Sequence, residues 1–139
     1  MFQKILLAVD GSAHSDKAAD YAAGLAAAFQ AELFVVHAYP QTSDMLGYDD
    51  FKRLVSRRKS AGQKVLDRIC DRLAGHGVSP REDLLEGPEA EAILASADAH
   101  EADLVVMGTR GLGTLEGMLF GSISRKVSQH ARCPVLLAR

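Results

Sequence analysis

The sequence predicts an α/β fold: a five-stranded parallel sheet with helices on both of its faces. Two observations lead to this prediction. Short apolar runs alternate along the chain with longer segments of helical periodicity. The resulting order, β-α-β-α-β-α-β-α-β, is typical of a sheet whose parallel strands are joined by helical crossovers. The chain of 139 residues is long enough to bury a core, so we expect one domain that spans residues 1–139.

The first half of the chain holds two strands and two helices. Alanine is frequent in the first helix, which favours close packing on a sheet, and we expect its inward stripe to end at Phe29. The second helix is long and highly charged, and Gly75 and Gly77 end it. In chain order we predict a strand over residues 5–9, a helix over 16–30, a strand over 32–36, a loop over 40–50 and a helix over 51–73.

The second half continues the alternation with three strands and two helices. Pro88 lies in the first turn of the third helix, where the missing N–H costs nothing. We expect this helix to face the sheet with Ala92, Ile93, Ala95 and Ala99. We predict strands over residues 81–85, 104–107 and 134–138, a helix that begins at Gly87-Pro88, and a last helix over 122–131.

The order of the strands in the sheet follows from the handedness of the crossovers. Right-handed crossovers cover both faces only if the winding reverses once, and a reversal after the third strand gives the order 3-2-1-4-5. Asp10 ends the first strand and Gly108 follows the fourth. These two strands are then neighbours at the point of reversal, where ligands bind at the carboxyl ends of the strands.

A glycine-rich segment follows the fourth strand. Glycines let backbone N–H groups approach an anion, and the helix that follows adds partial positive charge at its N-terminus. This pattern, formed by Gly108, Gly111, Gly121 and Ser122, predicts phosphate binding. A Walker A loop is excluded because the sequence has no Gly-Lys pair. A dinucleotide fingerprint is excluded because the glycines have the wrong spacing and follow the wrong strand.

Several of these residues also have a purely structural interpretation. Asp10 is suited to a turn before Gly11 as well as to a ligand contact, and the two roles are compatible. Ser122 and Ser124 are suited to starting a helix. Arg110 is either a phosphate contact or a solvated side chain. For His14 and His37, a surface residue and a hydrogen-bonded core residue are the favoured interpretations.

Composition argues against several classes of protein. The formal net charge of −2 gives no basic surplus for binding nucleic acid or an anionic membrane, and the apolar runs are too short to span a bilayer. The first ten residues are too quickly polar for a signal peptide and predict a strand instead. Cys70 and Cys133 form no CxxC pair, and the five histidines lack metal-site spacing. We therefore expect a cytoplasmic protein with reduced thiols and no protein-bound metal.

Taken together, these segments resemble the universal stress proteins of the nucleotide-binding type. The glycine signature G-x₂-G-x₉-G-(S/T) is met by the four residues named above. The opening Val9-Asp10-Gly11-Ser12 and the last strand, Cys133-Pro134-Val-Leu-Leu, resemble the corresponding segments of that family. The resemblance runs from end to end and weakens only across about residues 39–60. It implies the 3-2-1-4-5 sheet, which is Rossmann-like and similar to adenine nucleotide alpha hydrolases.

The resemblance also implies an ATP site and assigns residues to it by position. Asp10 would bond the ribose or lie near the phosphates, with Ala8 and Val9 beside it. Ala38, just past the second strand, would lie against adenine, and Met107 and Gly108 would border the ribose and adenine. The phosphates would be held by Gly111, Gly121, Ser122, Ser124, the Ile123 backbone N–H and, if it reaches them, Arg110. Mg²⁺ or Mn²⁺ would arrive with the phosphates and water, since no carboxylate cage is visible.

The function that these expectations favour is a nucleotide-gated cytoplasmic regulator of the stress response. The alternative is a slow ATPase or a self-phosphorylating enzyme that uses the same site, with Ser122 or Ser124 as acceptor. A phosphoryl-receiver domain fits poorly, because Asp10 stands alone after the first strand and the fifth strand lacks lysine. The apolar edge strand from Val135 to Ala138 predicts a homodimer, because such an edge invites pairing, and the resemblance implies the same.

Overall fold

A five-stranded parallel sheet forms the centre of this computed structural model, which describes residues 1–43, 45, 47–110 and 120–139. The strands lie in the order β3-β2-β1-β4-β5, and all four strand pairs are parallel. In chain order the elements are β1 (Lys4–Ala8), α1 (Ala13–Phe29), β2 (Glu32–Tyr39), α2 (Tyr48–Ala74), β3 (Arg81–Glu86), α3 (Glu89–Ala99), β4 (Leu104–Gly108), α4 (Ser122–His130) and β5 (Val135–Ala138). The predicted fold class and strand order are confirmed.

Two apolar cores, one on each face, hold the helices against the sheet. Alternate residues of β1 point to opposite faces, as a strand requires: Ile5 and Leu7 belong to one core and Leu6 to the other. The first core takes α1 and α2, which contribute Ala18, Ala22, Leu66, Ile69 and Leu73. The second takes α3 and α4, which contribute Ala90, Ile93, Ala97 and Val127. Because both faces are covered, most residues of β2, β1 and β4 are buried.

The start of α1 and the end of β2, both near the carboxyl edge of the sheet, differ from the predicted boundaries by three residues each. α1 begins at Ala13 rather than at residue 16, because the Ser12 side chain accepts a bond from the Ser15 backbone N–H at 3.2 Å and so caps the helix earlier. β2 continues to Tyr39 because β3 pairs with it up to Glu86. The prediction that Ala38 lies just past the second strand is therefore wrong: Ala38 is inside β2.

Three inward side chains were also predicted wrongly. Phe29 is 40% exposed and packs edge-on against Phe2, with ring centroids 5.3 Å apart. Ala95 and Ala99 are exposed. In α3 the buried set runs through Ile93 and Ala97, and Ala95 lies two residues from each, which is about half a turn away.

The remaining differences are at loop and helix ends. α2 begins at Tyr48, so the expected loop is three residues shorter than predicted at its end, and Pro88 is the N-cap residue of α3 rather than a residue of its first turn. In the part of the chain that the structure describes, no helix combines the length and the apolar character that crossing a bilayer requires.

Candidate functional site

The predicted site residues lie where β1 and β4 end side by side. Leu7 pairs with Val106, and the two strands end at Ala8 and Gly108. The chain leaves the sheet from both strands at the same edge, into α1 on one side and toward α4 on the other. The prediction that Asp10 and Gly108 share one edge of the sheet is confirmed by this pairing.

Asp10 shapes the turn between β1 and α1. Its Oδ1 accepts from the Ser12 backbone N–H and from the Ser15 hydroxyl, both at 2.9 Å. The Asp10 backbone N–H donates to Ser15 Oγ at 2.8 Å. Both serines are buried and Asp10 is half-buried, so this network is partly shielded from water. The turn role of Asp10 is thus present, and its negative charge lies beside the positive end of α1.

Gly108 allows the first turn of α1 to approach the end of β4. A Cβ built on Gly108 would lie 2.6 Å from His14 Cβ and 3.0 Å from the His14 carbonyl carbon, distances that real Cβ atoms do not reach. Glycine is therefore required here by the backbone packing itself. His14 is half-buried rather than a plain surface residue, and its Nδ1 is buried with no hydrogen-bond partner in the described part of the chain.

Among the described residues, no side chain caps the N-terminus of α4. Gly121 is the N-cap residue, and the first bond along the helix is from the Arg125 N–H to the Gly121 carbonyl at 3.1 Å. The backbone N–H groups of Ser122, Ile123 and Ser124 precede that bond, as the orphan donors of every helix do. Of the four helices in the described ranges, α4 has no acidic residue in its first turn, whereas the other three have one or two.

Ser124 fastens α4 to the end of β4. Its hydroxyl is 2% exposed and donates to the Thr109 carbonyl at 2.7 Å, with the Gly121 carbonyl at 3.0 Å. The Gly121 N–H donates to the same Thr109 carbonyl at 2.6 Å. The hydroxyl proton of Ser124 and the amide of Gly121 are thus engaged internally, while the Ser122 side chain is exposed.

The other predicted residues are close to the same edge. Ala8, Val9, Ala38 and Met107 are buried in the cores, so their contact with a ligand would be through the backbone or the rim of the side chain. Arg110 is half-buried, two residues after β4. Gly111 lies outside the described residues, and its predicted role stays a prediction.

Comparison with known proteins extends the likeness from motifs to the whole chain. The sequence profile of the Universal stress protein family matches residues 1–139. The chain belongs to the universal stress protein family. It is 49% identical over 141 residues to a Thermus aquaticus protein, "Universal stress protein in QAH/OAS sulfhydrylase 3'region", with 100% of both chains covered.

Solved structures of family members have the same fold. The universal stress protein UspA from Lactobacillus plantarum superposes with a TM-score of 0.87 at 23% identity, covering 99% of this chain and 97% of that one. A universal stress protein crystallised in complex with cAMP has a TM-score of 0.75 at 30% identity, with the same coverage. The predicted family and the Rossmann-like sheet are therefore confirmed.

Two further side chains, Arg58 and His37, form hydrogen bonds to backbone segments near this edge and lie outside the glycine signature. Arg58 of α2 donates from Nη1 to the Gln41 carbonyl at 2.6 Å and to Thr42 Oγ1 at 2.9 Å, which fixes the segment after β2. His37 contacts the Val9 carbonyl through Nδ1 at 2.7 Å, as expected for a hydrogen-bonded core histidine. Arg58 looks like any exposed helix charge in the sequence, and only the fold reveals its partners.

Neither of the two cysteines is among the residues of this edge. Burial and the nearby Glu82 carboxylate raise the pKa of the Cys70 thiol to about 11, so it stays protonated at neutral pH. Burial also raises the pKa of Cys133. Within the described ranges, no group of three or more His, Cys, Asp or Glu side chains is arranged to hold a metal ion. Among the described residues, the edge offers backbone N–H donors, the Asp10 carboxylate and the half-buried side chains of His14 and Arg110.

Proposed function

We propose that this chain binds an adenine nucleotide, ATP with Mg²⁺ or Mn²⁺, at the edge between β1 and β4, and that it is a nucleotide-gated cytoplasmic regulator of the stress response. The observation that carries this proposal is the uncapped, acid-free N-terminus of α4. The backbone N–H groups of Ser122, Ile123 and Ser124 and the helix dipole together suit the phosphates of a nucleotide.

The charges at the edge support one orientation of the nucleotide. Asp10 carries a negative charge beside α1, which disfavours phosphate there and suits a ribose hydroxyl as hydrogen-bond donor. The phosphates then lie toward α4, with Gly108 and Met107 between the two ends. Ala38, near the carboxyl end of β2, would lie against the adenine ring. The cAMP complex of a relative at 30% identity supports an adenine nucleotide on this fold.

The metal ion would be carried by the nucleotide. Mg²⁺ keeps several of its waters and is commonly held by phosphates with few protein ligands. When bound, the ion would neutralise charge on the phosphates, and the residues of this chain would supply the amide donors around them. The Ser124 hydroxyl donates its proton to a carbonyl inside the protein, which disfavours Ser124 as a phosphoryl acceptor. The exposed Ser122 is then the acceptor that the enzymatic alternative requires.

We also propose that the regulator is a homodimer formed through β5. This strand, from Val135 to Ala138, is at the edge of the sheet beside β4. Leu136 packs toward the core beneath α1, Val135 and Leu137 pack toward the other core, and all three remain half-exposed. The β5 strand of a second copy, related by twofold symmetry, would cover these three side chains and hydrogen-bond to the outer side of β5. Sedimentation velocity should give about twice the monomer mass of 14.9 kDa; a species of monomer mass at micromolar concentration contradicts this part.

The nucleotide site can be tested by placing a charge where the phosphates are proposed to bind. Ser122→Asp adds a carboxylate to the exposed first turn of α4. Its negative charge interacts favourably with the positive end of the helix dipole, so the variant should fold. Like charges a few ångströms apart repel by about 1–4 kcal/mol. We expect calorimetric titration with ATP and Mg²⁺ to show micromolar affinity for the wild type and about tenfold or greater loss for this variant.

The matched control is Gln129→Glu, which adds the same charge to the exposed far end of the same helix. It should bind ATP as the wild type does. Equal ATP affinity of Ser122→Asp and wild type would rule out phosphates at the N-terminus of α4. A wild type free of co-purified nucleotide that does not bind ATP would overturn the proposal as a whole.

A further inference from the structure

We propose that His37 is a positioning residue of the nucleotide site: its imidazole fixes the peptide unit between Val9 and Asp10. The nucleotide half of this inference rests on the proposed function, while the positioning half concerns the protein alone. His37 is on β2, 28 residues from Val9 in sequence, and belongs to none of the segments that carry the glycine signature.

The bond from His37 has only one possible direction. Nδ1 lies 2.7 Å from the Val9 carbonyl oxygen, and a carbonyl oxygen only accepts. Nδ1 therefore carries a proton and donates it. The Val9 backbone N–H donates in turn to the Val36 carbonyl at 3.0 Å. Two consecutive residues of β2, Val36 and His37, thus hold both sides of Val9, just beyond the last residue of β1.

A planar peptide transmits this constraint to Asp10. The Val9 carbonyl and the Asp10 N–H belong to one peptide unit and point in opposite directions. On one side the oxygen accepts from His37, and on the other the N–H donates to Ser15 Oγ at 2.8 Å. A flip of this peptide would break both bonds. The orientation of Asp10, which the nucleotide site requires, is therefore set jointly by His37 and Ser15.

The ring of His37 is held in place by α2. Gly62 of this helix passes so close that a Cβ on it would lie 3.1 Å from His37 Cδ2 and 2.8 Å from Leu84 Cδ1. The same helix also contacts the turn itself, because Arg68 Nη2 donates to the Gly11 carbonyl at 3.2 Å. The imidazole is thus wedged between α2 and the sheet, with its donor directed at Val9.

The first measurement uses the protein without nucleotide. His37→Leu replaces the imidazole by an apolar side chain that has no hydrogen-bond donor. His37→Asn keeps a donor, because Asn Nδ2 is as many bonds from the backbone as His Nδ1. Hydrogen exchange of the Asp10, Ser12 and Ser15 amides, followed by NMR, should be faster in His37→Leu by about tenfold, the factor for one lost hydrogen bond. His37→Asn should restore slow exchange at the three amides.

The second measurement is titration with ATP and Mg²⁺. We expect about tenfold weaker affinity for His37→Leu and affinity within about threefold of wild type for His37→Asn. Leu84→Ala is the control. Leu84 is paired with His37 across β2 and β3, and both side chains lie against Gly62 of α2, but Leu84 makes no hydrogen bond to Val9. This variant should lower thermal stability while amide exchange at the turn and ATP affinity stay as in wild type.

The results separate this inference from the proposed function. Unchanged exchange at the three amides in His37→Leu overturns the positioning role whether or not ATP binds. Equal ATP affinity of wild type and His37→Leu, or equal losses in His37→Leu, His37→Asn and Leu84→Ala, overturns its nucleotide half. A wild type that does not bind ATP overturns the proposed function, and the exchange of the three amides still decides whether His37 positions the turn.

Discussion

Two helices, α1 and α4, begin at the same edge of the sheet, and their N-termini differ in capping and in charge. α1 is closed by its own side chains: Ser12 caps it, Asp16 lies in its first turn, and Asp10 accepts bonds from the turn before it. α4 begins at Gly121 with no side-chain cap and no acid in its first turn. Both ends carry partial positive charge, but at α1 that charge is already balanced from within.

This difference makes the electrostatic potential unequal on the two sides of the edge between β1 and β4. An anion that enters meets the carboxylate of Asp10 on one side and unbalanced N–H groups on the other, so electrostatics direct its charge toward α4. The same fold element, a helix start after a parallel strand, is a structural joint in one case and a candidate binding site in the other. What separates the two is the side chains at and around the N-cap: Ser12, Asp10 and Asp16 at α1, and Gly121 at α4.

The contact between the first turn of α1 and the end of β4 is the place where a change should cost most. Gly108→Ala adds a Cβ that would lie 2.6 Å from His14 Cβ and 3.0 Å from its carbonyl carbon, so the first turn of α1 must move away from β4. We expect the free energy of unfolding to fall by about 1–3 kcal/mol, the usual cost of overpacking, as measured by urea denaturation.

Gly24→Ala is the matched control for that substitution. Gly24 is in α1 and has open space around the position of a Cβ, so alanine should raise stability by about 0.5–1 kcal/mol through helix propensity. If Gly108→Ala were as stable as wild type, the first turn of α1 and the end of β4 would not be in the tight contact described above.

The next largest effect should distinguish the two serines at the helix starts. Ser12→Ala removes the cap of α1 and should lower stability by about 1 kcal/mol. Ser122→Ala removes an exposed side chain that caps nothing and should change stability by less than about 0.5 kcal/mol. Thermal unfolding of both variants checks the comparison, and a larger loss in Ser122→Ala than in Ser12→Ala would reverse it.

The sequence was sufficient for the architecture of this edge because the architecture depends on periodicity. Alternating strand and helix patterns and the single reversal of winding lead to neighbouring β1 and β4 without any knowledge of side-chain contacts. Boundaries were less predictable. The extension of β2 through Ala38 depends on its pairing with β3. The register of that pairing cannot be read from the β2 sequence alone.

The division of labour among the polar residues could not be predicted. Ser122 and Ser124 are equivalent in the motif, yet one is exposed and the other donates to the Thr109 carbonyl. Asp10 fits both a turn and a ligand contact, and its role in the turn depends on where Ser15 lies in the folded chain. Hydrogen-bond direction and burial are properties of the fold, so residue type and spacing alone leave such alternatives open.

The smallest expected effect concerns how α1, whose start is closed, is held against α2. The Arg72 guanidinium donates to both carboxylate oxygens of Asp20 at 2.8 Å, and its hydrogen bonds hold the pKa of Asp20 at about 2, below the ordinary 3.8. A carboxylate whose pKa is lowered by folding stabilises the protein above its unfolded pKa and loses that contribution as the pH falls through the folded one. The window is therefore about pH 4 down to about pH 2.

Because the Asp20 side chain is 39% exposed, solvent screens the pair and its contribution should be no more than about 1 kcal/mol. Wild type should be slightly more stable than Asp20→Asn at pH 6, and the gap should close by pH 2 in parallel urea titrations. High salt should narrow the gap at pH 6 as well. A gap that stayed constant with pH would mean that Asp20 contributes through packing and not through its charge.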